Sequence, residues 1–157
     1  VFCLEKDKGQ KSLAKIIGLG YATEKIEHPA SLSADAQCMQ KSMLMALKDS
    51  GLKTVDAIIM HAPGTLQGDK AEIQAIQNIF GEKTPHLIST KHQSGHTFGA
   101  SGGISLDLAI EMLQTEELIS FPYETEVEQK QKAPKSILVN AVGFGGNAVS
   151  IIVQKAD

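Results

Sequence analysis

The sequence contains no arginine, only two cysteines, and no apolar run approaching the roughly 18 to 20 residues that a membrane span needs. Each shortage closes off a class of function. All 15 cations are lysines, so the planar fork used for bidentate phosphate and guanine contacts is missing. The net charge of −3 points the same way, against nucleic acid as the principal partner. Cys3 and Cys38 are too few for a disulfide framework, and their spacing fits no zinc pattern. No signal-peptide pattern is visible, which makes a reducing cytoplasm the expected compartment. The chain opens on Val1, in the apolar stretch VFCLE, which reads as a cut through a longer protein or a processed chain.

What remains is the composition of a globular domain. The 157 residues are 42% apolar and 21% charged, enough to bury roughly two-thirds of the unfolded surface in one domain. Strand-like and helix-like segments alternate. Lys15–Thr23 is predicted as a strand, bent at Gly18 and Gly20. Ser33–Ser50 reads as a helix capped by Ser33 and stopped by Gly51, with Met39, Met43, Ala46 and Leu47 on its core face. Val55–Met60 is a short strand buried on both faces. A helix follows over Asp69–Phe80, with Asp69 and Glu72 as a reciprocal capping pair and Ile73, Ile76 and Phe80 facing inward. Pro85–Ser89 is a further strand. Gly99–Leu118 is a helix carrying Ile104, Leu106, Leu108, Ile110 and Leu113. Glu124–Lys135 is a charged surface loop. Ser136–Val142 and Ala148–Gln154 form a hairpin around GFGGN. The order β-α-β-α-β-α-β-β implies an α/β fold: a mixed, mostly parallel sheet with helices on both faces and a C-terminal antiparallel hairpin.

In open α/β sheets, ligands gather beyond the carboxyl ends of the strands. Three segments leave such ends with unusual residues. His61 stands in HAPGT, Lys91 and His96 in STKHQSGHTFGASGG, and Phe144 in GFGGN. If those strands are neighbours, the four side chains share one rim. Each also fits an ordinary structural role, and Gly143, Gly145 and Gly146 also fit the positive-φ positions of a tight turn. Two imidazoles and an ammonium suit a reaction that develops negative oxygen, because a neutral imidazole donates from one ring nitrogen to an enolate or oxyanion. His96 is expected to be uncharged, since a helix N-terminus and Lys91 lie close by in sequence. Neither cysteine stands on a strained turn or at a helix start, and both are expected to be buried structural thiols.

HAPGTLQGDKAEIQAIQNIFG, STKHQSGHTFGASGG and NAVGFGGNA together resemble the C-terminal half of decarboxylating β-ketoacyl-acyl-carrier-protein synthases. The resemblance runs along essentially the whole chain. It implies a thiolase-like half-fold, with residues 1–157 as one C-terminal domain and the N-terminal half absent. It also implies that His61 and His96 bind the malonyl thioester carbonyl, promote decarboxylation and stabilise the enolate. Lys91 would support their geometry and charge balance. Phe144 would gate the site and contribute its backbone amide to an oxyanion hole, and Thr65 would lie near the phosphopantetheine arm. Asp69 and Glu72 would cap the helix and anchor the loop. The family's nucleophilic cysteine belongs to the other half.

The implied partners are acyl carrier protein with its acyl and malonyl thioesters, the N-terminal half, and a second subunit in a homo- or heterodimer. No nucleic acid, membrane, metal or cofactor of its own is implied; the phosphopantetheine arm belongs to the carrier. Pro63, Ser105, Asn147 and Ala148 depart from the family pattern, and Pro63 can supply neither a hydroxyl nor a backbone N–H. A non-elongating, chain-length-factor-like partner subunit is the alternative. A metal module using His92 and His96 with His61 or His86 is the third reading.

Overall fold

Two glycines let the first strand lie flat against a helix. In β1 (Ala14–Thr23) they sit at Gly18 and Gly20, and α1 (Gln37–Ser50) packs directly on them. A Cβ at Gly20 would fall 1.9 Å from the Ser42 carbonyl oxygen. The irregularity expected in this strand is a register shift between Ile16 and Gly18. The structure, a computed structural model, describes residues 2–6, 12–25, 32–119 and 133–156. Most of the charged stretch Glu124–Lys135 lies outside these residues.

Helix α1 starts later than its sequence suggests. Its first residue is Gln37, and Ala36 precedes it at φ 43° with no side-chain cap of its own. Ser33 Oγ instead takes the Gln37 N–H at 3.0 Å, and the Glu24 carboxylate takes the Cys38 N–H at 2.9 Å. Gly51, at φ 71°, ends the helix as expected. Met39, Met43, Ala46 and Leu47 are buried together.

The remaining elements follow in order: β2 (Ala57–Ile59), α2 (Leu66–Phe80), β3 (His86–Ile88), the single turn α3 (Lys91–Ser94), α4 (Ser101–Thr115), β4 (Ser136–Gly143) and β5 (Asn147–Lys155). The sheet order is β1-β5-β4-β2-β3. β4, β2 and β3 run parallel, whereas β5 is antiparallel to both β1 and β4. The sheet is therefore mixed, not mostly parallel. The final hairpin inserts β5 between β4 and β1, which turns half of the strand pairs antiparallel.

Strand alternation divides the core in two. Ile58, Leu138 and Ile152 pack under α1 and α2. Ala57, Ile59, Ile137, Val139 and Val153 pack against Ala109, Met112 and Leu113 of α4. The inward face of α4 is therefore Ser101, Ser105, Ala109 and Met112, with Leu113 beside them. Of the large apolar residues that α4 carries, Leu113 is buried, Ile104 is exposed, and Leu106, Leu108 and Ile110 are partly covered. A second correction concerns Cys3, which is exposed in a segment without strand structure; only Cys38 is buried. Burial pushes the Cys38 thiol up to about 11, so it is inert as a nucleophile at neutral pH. Among the described residues, no helix is long and apolar enough to cross a membrane.

Candidate active site

Because β4, β2 and β3 are parallel neighbours, their carboxyl ends open on the same edge. His61 leaves β2, Lys91 opens the turn after β3, and Phe144 follows β4. A cavity of about 730 Å³ lies there, lined among others by His61, His96, Thr65, Phe98 and Phe144. The two imidazoles meet edge to face, with ring centroids 5.3 Å apart and planes at 79°.

Their hydrogen bonds are alike. His61 Nδ1 accepts from the Val142 N–H at 3.3 Å, and His96 Nδ1 accepts from the Phe98 N–H at 3.1 Å. An accepting Nδ1 carries no hydrogen, so in each ring the N–H belongs to Nε2. Burial, followed by the charges of Lys91 and His96, holds His61 down to about 3. It is an uncharged donor at any physiological pH. His96 is exposed, and α4 begins only at Ser101, beyond an intervening turn at Phe98–Ala100. The helix dipole is thus farther from His96 than the sequence suggests, and the Phe98 N–H is the contact that sets its tautomer.

Lys91 does not line the cavity. It is buried, and its Nζ donates to the His61 carbonyl oxygen. Burial pulls its pKa down, while Glu72 and Asp69 pull it back up. The ammonium therefore stands behind His61 instead of at the mouth. Lysine charge in so closed a position requires nearby carboxylates, and α2 supplies both.

Asp69 and Glu72 do not form the expected capping pair. Helix α2 begins three residues earlier than predicted, at Leu66, and Thr65 caps it, Oγ1 accepting from the Gly68 N–H at 3.2 Å. Asp69 reaches back to the Gly64 N–H at 3.0 Å. Glu72 lies wholly inside, accepting from the His61 and Ala62 N–H groups at 2.9 and 2.8 Å and from Asn140 Nδ2 at 3.1 Å. Desolvation raises its pKa, opposed by those donors and by Lys91. Glu72 thus grips the backbone at His61 and Ala62, and that segment is unusual: Ala62 has φ 31°, a conformation disfavoured for a residue with a Cβ.

Phe144 is 76% exposed at the tip of the turn between β4 and β5. Gly145 and Gly146 follow at φ 87° and 71°, and Asn147 Nδ2 donates to the Phe144 carbonyl at 3.1 Å. Gly143 ends β4. Two sets of residues in this region escaped the sequence reading. Phe98, at φ 50° with its ring 5.4 Å from that of His96, forms part of the cavity wall. Its only sequence signal was its place within GHTFGA. Asn140, Ser150 and Ser42 form the buried polar link behind Glu72. Among the described residues, no group of three or more histidine, cysteine or carboxylate side chains could hold a metal ion. His86 Nε2 is taken up by the Ile119 carbonyl at 2.7 Å.

Comparison with known proteins agrees with this architecture. Residues 13–121 match the family described as beta-ketoacyl synthase, C-terminal domain. The chain is 30% identical over 161 residues to 3-oxoacyl-[acyl-carrier-protein] synthase 1 of Haemophilus influenzae, covering 94% of this chain and 38% of that protein. It is 27% identical to 3-oxoacyl-[acyl-carrier-protein] synthase 2 of Staphylococcus aureus, covering 96% and 40%. Among solved structures, the ketosynthase ApeO in complex with its chain length factor ApeC from Xenorhabdus doucetiae matches with a TM-score of 0.79 and 26% identity, over 94% of this chain and 40% of that one. The chain spans about two-fifths of the length of the curated relatives it matches. With the family match covering most of its length, the chain belongs to the β-ketoacyl synthase C-terminal domain family.

Proposed function

We propose that this domain forms the decarboxylating side of a β-ketoacyl-acyl-carrier-protein synthase active site, working on acyl and malonyl thioesters of acyl carrier protein. One observation carries the reading. Two imidazoles sit edge to face on a cavity wall, each with Nδ1 occupied by a backbone N–H and Nε2–H left to donate. Donors fixed in advance where negative charge develops are the most effective electrostatic catalysts.

The malonyl thioester carbonyl oxygen accepts from His61 and His96. The bond to the carboxylate carbon breaks, CO₂ leaves, and the electron pair passes into the enolate. That carbon then attacks an acyl thioester on a cysteine supplied by the N-terminal half, and the cysteine thiolate departs. Lys91 holds the His61 backbone and balances Glu72 and Asp69. The backbone amide of Phe144, on a glycine-rich turn, serves the acyl oxyanion, and its exposed ring gates the cavity. Thr65 Oγ1 accepts from Gly68 and keeps its own hydrogen for the phosphopantetheine arm. The arm comes with the carrier, so the protein needs no cofactor of its own. Cytoplasmic residence fits this chemistry.

The rest of the enzyme, in the thiolase-like arrangement of two halves, covers apolar surface left open here. Leu19 and Tyr21 of β1 are exposed at 48% and 67%. They pair across to Ile151 and Val149 of β5, so the strip is continuous. A dimer, with itself or with a related subunit, completes the assembly. Pro63, which offers the arm no hydroxyl, favours the second reading of a chain-length-factor-like partner.

The full-length protein separates the two. Incubated with acyl- and malonyl-acyl carrier protein, it yields β-ketoacyl-acyl carrier protein and a trappable cysteine acyl-enzyme under our reading. Neither product, together with a stable complex with an active ketosynthase, would establish the partner role.

A further inference from the structure

Behind the cavity, four buried polar side chains form one connected line across four elements. Ser42 Oγ on α1 lies 2.8 Å from Ser150 Oγ on β5. Ser150 Oγ donates to Asn140 Oδ1 on β4 at 2.8 Å. Asn140 Nδ2 donates to Glu72 Oε1 on α2 at 3.1 Å, with its second hydrogen directed at Met43 Sδ at 3.5 Å. Glu72 then holds the His61 and Ala62 N–H groups. All four side chains are almost fully buried, at 0% to 2% exposure, and Ser42, Asn140 and Ser150 are not among the cavity-lining residues.

Counting hydrogens makes the line directional. A serine hydroxyl has one hydrogen. Ser150 uses its hydrogen on Asn140, so it accepts in its contact with Ser42, whose single hydrogen is shared between Ser150 Oγ and the Met39 carbonyl oxygen at 3.1 Å. With Oδ1 thus occupied by a donor, the Asn140 amide presents its NH₂ to Glu72. Turned over, it would set its carbonyl oxygen against the Glu72 carboxylate, acceptor to acceptor, in a closed interior where such a mismatch is costly. Glu72 must remain a full acceptor, because the peptide it grips includes Ala62 in a strained left-handed conformation.

We propose that Ser150, backed by Ser42, is a positioning residue that fixes the Asn140 amide orientation and, through Glu72, the His61 backbone. The proposal rests on the reading of His61 as a thioester-binding donor. It assigns a functional task to two serines, on β5 and α1, that do not line the cavity.

The test uses the full-length protein with Ser150→Ala, Ser150→Thr and Ser42→Ala. Two readouts are taken well below the melting temperature: NMR signals of the His61 and Ala62 amides and the His61 ring, and kcat and KM for malonyl-thioester decarboxylation. Ser150→Ala should move the amide protons upfield and lower kcat about 10-fold while KM stays within about twofold, a displacement effect. Ser150→Thr, which keeps the hydroxyl, should restore both. A fall in melting temperature alone, with the signals and kcat unchanged, overturns the proposal. If Ser150→Ala does not fold, Ser42→Ala decides: shifted His61 and Ala62 amides support the relay, and unshifted ones overturn it. Absence of decarboxylation in the unsubstituted protein would refute the functional reading, while the amide signals would still decide the relay.

Discussion

Lowering the pH from 7.5 to 5 should destabilise the protein through His61. Its imidazole is held down to about 3 in the folded state, from an ordinary 6.5, by burial first, then by Lys91 and His96. Between those two values the unfolded chain binds a proton that the folded protein refuses. The stability it contributes is complete above the unfolded value and is lost as pH falls. At pH 5 the unfolded imidazole is about 1.5 units below its own pKa and the folded one is still uncharged, which costs about 2 kcal/mol. The limiting loss, in stronger acid, is about 5 kcal/mol, comparable to the whole stability of a modest domain. Glu72 and Asp69 act in the opposite sense. Their raised carboxyl pKa values give stability that is present in acid and lost as pH rises. His61→Gln isolates the histidine, because it carries those carboxyls unchanged. Urea denaturation of both proteins at several pH values between 7.5 and 5 should show their stability difference moving by about 2 kcal/mol against the histidine form. A difference constant to within about 0.5 kcal/mol would refute the argument from burial.

Removing the charge behind the site with Lys91→Met should raise the His61 pKa while leaving it below 6.5, since burial is the larger cause. NMR titration checks this, and an unchanged or lower value contradicts it. Glu72→Gln turns one of two accepting oxygens into a donor facing a backbone N–H, at a cost of about 1–3 kcal/mol measured by chemical denaturation. Gly20→Ala drives a methyl group into the Ser42 carbonyl and should cost at least about 1–3 kcal/mol; a neutral effect would mean that α1 is not seated on β1 as described.

Much of the scaffold was legible because its signals are local. The methionine stripe of α1, the Gly51 stop and the glycine-rich turn between β4 and β5 each follow from periodicity or turn chemistry. The convergence of His61, His96 and Phe144 needed one further step, the rule that ligands collect at strand carboxyl ends, and the parallel neighbours β4, β2 and β3 supply its condition. What escaped depends on partners distant in sequence. Strand direction is decided by where the hairpin inserts β5. The inward face of α4 is built from Ser101, Ser105 and Ala109 because small residues allow close approach to β4; a Cβ on Gly102 would lie 3.4 Å from that of Ala141. Lys91 is buried where the charges of Glu72 and Asp69, both on α2, act on its ammonium. Single polar residues inside apolar strands, such as Asn140 and Ser150, carry no local signal until the strands are paired.

The central claim is that two rings, each with Nδ1 occupied by a backbone N–H, donate Nε2–H to one nascent enolate oxygen. Its most direct test is the release of labelled CO₂ from a malonyl thioester by the full-length protein, with His61→Ala and His96→Ala as variants. Each substitution should slow release by on the order of 100- to 1,000-fold, with the fold intact by circular dichroism. Release at the unsubstituted rate from either correctly folded variant would contradict the account.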